Sequence, residues 1–150
     1  MQTSLVGYEQ DFYTWLMQSA TLIREGRLAE IDVENIAEEL EGMAKRDRRQ
    51  LMSRLAVLLM HLLKWQFQPN KRSRSWELTM IEQRRRVEEL LEDSPSLRHQ
   101  LEERLADAYE IAVLKAARET GLSRKIFPAV CPYTVDKVLD ETFYPIEDGG

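Results

Sequence analysis

The chain of 150 residues has little of what usually announces chemistry: one cysteine, two histidines, six glycines and five prolines. A lone Cys131 can form neither an internal disulfide nor a thiolate zinc cluster. Glycine and proline are few and gather at breaks, which excludes a low-complexity chain. The longest apolar run, Leu55 to Leu63, is interrupted by His61 and is far short of the ~20 residues that a membrane span needs. Met1-Gln2-Thr3-Ser4 has neither a basic start nor an apolar signal core, so the expected compartment is the cytoplasm. There is no alternating strand pattern, no internal repeat, no glycine-rich phosphate loop and no Gly-x-Ser-x-Gly turn. A helical di-metal site would need Glu-x-x-His pairs, but the residues three before His61 and His99 are Leu58 and Ser96. Glu34, Glu38 and Glu41 therefore read as a solvated acidic face, and no catalytic residue, metal or cofactor is expected.

What is present is helical periodicity. The length suits one domain over residues 1–150, and the patterns predict an all-α bundle of four main helices with a short C-terminal helix and an irregular tail. Tyr8, Phe12, Trp15, Leu16, Ser19 and Ile23 predict a first helix ending at Gly26, a good left-handed cap residue. Asp32 caps a second helix running from Val33 to about Gln68, whose stripe is Ile36, Leu40, Met43, Leu51, Leu55, Leu58, Leu62 and Trp65. Only Asp47 breaks that stripe, and Gly42 is a candidate kink. Pro69 forces a stop, because it disfavours helical backbone at Gln68 and has no amide to donate. Ser73 or Ser75 caps a third helix reaching Asp93. Ser94-Pro95 marks the start of a fourth, which Gly121 ends, and a short helix follows Thr134 through about Asp140.

Charge is unevenly spread. Residues 1–44 carry 2 Lys/Arg against 9 Asp/Glu, residues 45–86 carry 12 against 3, and residues 87–150 carry 7 against 14. The basic block ends in the stretch from His61 to Trp76, where two helices meet at a turn. Its cations and aromatics suit an anionic ligand, because guanidinium groups beside indoles bind phosphates and carboxylates. The candidate ligand- or partner-binding residues are His61, Lys64, Trp65, Gln68, Arg72, Arg74, Trp76, Gln83 and Arg84. The same groups could instead form a polar network that locks the corner, since buried polar groups must find partners.

Four segments carry a family resemblance: Tyr8 to Trp15, Asn35 to Glu41, His61 to Trp76 followed by Gln83-Arg84, and Cys131-Pro132-Tyr133-Thr134 ahead of Leu139-Asp140-Glu141. Together they resemble the bacterial family catalogued as domain of unknown function twenty-nine, common in cyanobacteria. The resemblance spans nearly the whole chain and implies a bacterial, all-helical protein of about this length; it implies no activity. The reading of the sequence is a cytoplasmic helical interaction module working through the corner between helices two and three, on a protein or an anionic ligand and not on a membrane. The alternative is association with nucleic acid through the same basic block, and an enzyme of unknown reaction comes third. The long second helix offers enough apolar surface for a dimer.

Overall fold

A computed structural model describes residues 5–146, so the reading of Met1 to Ser4 lies outside the described residues. Among these residues there are helices and turns but no strand. The expected four main helices and short fifth are all present: α1 (Phe12–Arg24), α2 (Val33–Phe67), α3 (Arg74–Asp93), α4 (Leu97–Thr120) and α5 (Val135–Leu139). None of the described helices is long and apolar enough to cross a membrane. Contacts gather in two compact units, Met1–Arg46 and Asp47–Gly150.

The first unit holds α1, a 3-10 turn at Leu28–Glu30 and the opening turns of α2. Asp11 caps α1, accepting from the Thr14 amide at 3.0 Å and the Thr14 hydroxyl at 2.9 Å. The helix ends as Gly26 implied. Gly26 sits at φ +71°, where a side chain would be strained, and the Gly26 and Arg27 amides return to the Ile23 and Leu22 carbonyls. The buried face differs from the expected one: Trp15, Ser19 and Leu22 are buried, whereas Phe12, Leu16 and Ile23 are exposed. Tyr8 is the reason. It precedes the helix in a turn and packs edge-on against Trp15 with ring centroids 4.8 Å apart, drawing the face toward Trp15 and away from Ile23. Asp32 caps α2 through the Asn35 amide at 3.2 Å, and the helix continues through Gly42 without a break.

The second unit holds the large core. Leu51, Leu55, Leu58 and Leu62 of α2 are fully buried with Leu59 and Leu63, together with Met80 and Val87 of α3 and Leu101, Ala112 and Ala116 of α4. The stripe of α2 is thus a core stripe only from Leu51 onward; Leu40 and Met43, in the first unit, are 62% and 57% exposed. Ser73 caps α3 by accepting from the Trp76 amide at 3.2 Å. The start of α4 is a correction. Ser94 is used to close α3, its amide bonding to the Leu90 carbonyl, and Pro95-Ser96 form a turn, so α4 begins at Leu97. It ends at Gly121, whose φ of +74° gives the left-handed cap.

The tail packs onto these helices. Phe127, Tyr133, Val135, Val138 and Leu139 are buried, and Phe67 meets Phe127 edge-on at 5.4 Å. Two buried hydroxyls are satisfied: Tyr109 donates to the Pro128 carbonyl and Tyr133 to Gln66 Oε1, each at 2.6 Å. Burial pushes both phenols up, Tyr109 to about 12. Thr134 caps α5 through the Lys137 amide at 3.3 Å.

Candidate functional site

The corner between α2 and α3 brings the sequence candidates into one neighbourhood, and five of them, His61, Lys64, Arg72, Gln83 and Arg84, make side-chain hydrogen bonds within the chain. Lys64 is buried, with Nζ 2.7 Å from Glu119 Oε2 of α4 and 4.6 Å from the Trp76 ring centre. Three helices are thereby tied by one ammonium. The Glu119 carboxyl is held below the usual carboxylate range by donation from Lys64, partly offset by burial. His61 lies one turn before Lys64 and is buried, with Nδ1 2.9 Å from the Val57 carbonyl, so the proton sits on Nδ1. Burial lowers the imidazole pKa, and nearby Lys64 adds to that while Val57 and Glu119 act against it. The imidazole is thus bonded to its own helix and stands beside an ammonium already paired.

Arg72 turns back over the end of α2. Its Nε donates to the Trp65 carbonyl at 2.8 Å, satisfying a last-turn oxygen, and its guanidinium stacks 5.1 Å from the Trp65 ring centre. Trp65 in turn meets Tyr144 of the tail at 5.1 Å. Arg84 is fully buried: Nε donates to the Val138 carbonyl at 2.8 Å and Nη2 to the Phe143 carbonyl at 2.7 Å. Burial lowers its pKa, with Tyr144, Asp140 and Glu141 opposing. Val138 is in the last turns of α5, so the cation also faces the negative end of that helix. Gln83, expected on the buried face, is half-buried and accepts from Arg54 at 3.3 Å. Gln68 and Trp76 are half-buried, and Arg74 projects from the first turn of α3 into solvent with no ion pair among the described residues. Lys64, Arg72 and Arg84 thus tie the corner to α4, to the end of α2 and to the tail.

The structure assembles a second feature that the sequence did not single out. Along the face where α2 and α4 run side by side in the second unit lies a groove of about 390 Å³. It is lined by the apolar side chains of Met52, Ala56, Ala108 and Ile111 and by Arg48, Arg49, Arg104 and Lys115, with Asp107 and Ser53. Four cations thus stand against one carboxylate. Arg104 donates to Gln100 at 3.3 Å; Arg48, Arg49 and Lys115 make no ion pair among the described residues. Arg48 and Arg49 belong to the basic block, but their partners lie more than 50 residues away on α4. The signal that could have found them is Ile111, an apolar residue outside the stripe of α4 and 48% exposed.

Elsewhere the chemistry is quiet. Cys131 is half-buried, its thiol pushed up by burial and directed at the Tyr133 carbonyl, which makes it a structural thiol. Among the described residues no three His, Cys, Asp or Glu side chains gather closely enough to hold a metal ion.

An all-helical chain with a tied corner and a groove lined by cations defines a class rather than an activity. The chain belongs to the family described as Domain of unknown function DUF29, whose model matches residues 7–144. No curated protein and no solved structure matches it.

Proposed function

We propose that the protein is a helical interaction module whose binding surface is the groove between α2 and α4, and that its target is an acidic amphipathic helix. One observation carries this: Met52, Ala56, Ala108 and Ile111 line the same groove as Arg48, Arg49, Arg104 and Lys115. Apolar side chains of an incoming helix would seat on the apolar lining at i, i+3 and i+4 while its carboxylates reach the cations. The corner from His61 through Lys64, Trp65, Gln68, Arg72, Arg74, Trp76, Gln83 and Arg84 then serves as the rigid support of the module, with Arg74 free to extend the basic surface. The same reading makes the protein bacterial, as the resemblance implies, and cytoplasmic, since its one thiol has no partner for a disulfide.

The test is titration of a fluorescent designed acidic amphipathic helix into the intact protein by anisotropy. Binding that is lost on Arg48→Glu with Arg49→Glu supports the groove, and equal binding by both proteins overturns it. A DNA duplex titrated in parallel probes the nucleic-acid alternative, for which binding would fall steeply with salt as counterions are released.

A further inference from the structure

The same chain carries a segment of the chemistry that the groove asks for. In the first unit, the opening turns of α2 expose Val33, Leu40 and Met43 at 64%, 62% and 57%. On another side of the same turns Glu34, Glu38 and Glu41 are exposed at successive spacings of four and three, so they share one acidic face. None of these carboxylates makes an ion pair among the described residues. Residues 33–44 contain four glutamates and no cation, whereas the groove has four cations and one acid. The fourth glutamate, Glu39, is engaged locally, accepting from the Tyr8 hydroxyl.

Length agrees with charge. At 1.5 Å per residue, Val33 to Met43 spans about 15 Å, and the α4 wall of the groove from Arg104 to Lys115 spans about 16 Å. We infer that the occupant of the groove is the 33–44 segment of a second copy of this chain. Each copy then offers one acidic helix face and one basic groove, so a two-fold arrangement makes the contact twice and closes on itself as a dimer. This rests on the reading of the groove as a site for an acidic amphipathic helix, and it names the helix.

The experiment is a charge exchange in the full chain, read by sedimentation. The wild type is expected to be a dimer whose dissociation constant rises with salt, because the charges are screened. Glu38→Lys with Glu41→Lys, and separately Arg48→Glu with Arg49→Glu, should each weaken association roughly 100-fold by bringing like charges together. An equimolar mixture of the two variants should associate again, since each exchanged face meets a complementary one. A monomeric wild type at about 100 µM, a dimer indifferent to both double variants, or a mixture that stays monomeric overturns the inference. Circular dichroism of each variant, expected to match the wild type, separates lost association from lost folding. The designed acidic helix titrated into the Glu38→Lys, Glu41→Lys variant tells the two readings apart. If it binds while the wild type is monomeric, the groove stands and self-association falls; if neither binding nor dimer is seen, both fall.

Discussion

The two compact units use similar residue types to different ends. Among the described residues of the first, only Trp15, Ser19 and Leu22 are buried, and the fold is held by local devices: the Asp11 and Asp32 caps, the turn at Gly26, and Tyr8 packed on Trp15. In the second, a continuous core joins α2, α3, α4 and the tail, and cations are drawn into it where carbonyls and a carboxylate receive them. Apolar area removed from water stabilises at roughly 25 cal/mol per Å², so global stability resides in the second unit. The first spends much of its apolar surface on the outside, where it is open to a partner.

The sharpest way to break that contrast is Leu58→Ala, which should cost ~2–5 kcal/mol in denaturant melts, the range for truncating a well-packed leucine. A loss under about half a kcal/mol would show that the core lies elsewhere. Next is Arg84→Ala. It leaves the Val138 and Phe143 carbonyls without their charged donor and should cost at least about 3 kcal/mol, at ~1.5–3 for each such bond. Hydrogen exchange should show faster exchange across α5 and residues 140–144; unchanged protection there would mean that Arg84 does not hold the tail.

A smaller effect follows from His61 and Glu119. His61 is depressed in the folded state, so the unfolded chain takes up the proton first and stability falls as pH drops below about 6.5 toward the folded value. Glu119 is also depressed, so its contribution is present above the ordinary glutamate value and is lost as pH falls through its folded one. Thermal midpoints should therefore decline in two stages on acidification, and His61→Gln should remove the upper one. A curve for that variant superimposable on the wild type would refute the assignment. The smallest effect is expected from Tyr8→Phe, which removes the donor to Glu39 on the exposed side of the first unit. Exchange in α1 should quicken while the global melt stays put; a shift of the whole melt would mean that the units do not differ as described.

Much of the fold was legible because it is written in local rules. Asp32, Ser73, Gly26, Gly121 and Pro69 act within a turn of where they stand, so helices two and three emerge close to their expected bounds. Ser94-Pro95 misled because the same serine can open one helix or close another, and closing α3 took it. The basic-aromatic corner was visible as a neighbourhood, but its meaning depends on partners far along the chain: Glu119, 55 residues from Lys64, and the Val138 and Phe143 carbonyls, more than 50 from Arg84. Spacing reports which side of a helix a residue occupies and is silent on what comes to meet it. The groove was hidden for the same reason, since its two walls are separate in sequence and only the fold sets Arg48 across from Arg104 and Lys115.

Arg84 grips the tail by main-chain oxygens, which every amino acid supplies. The clasp therefore measures distance along the chain rather than the identity of what it holds. Asp140, which accepts from the Thr142 amide and hydroxyl, shapes the turn between the two carbonyls, and a single residue added or removed between Leu139 and Phe143 would carry one of them out of reach and open the clasp. In this part of the molecule the count weighs more than the spelling.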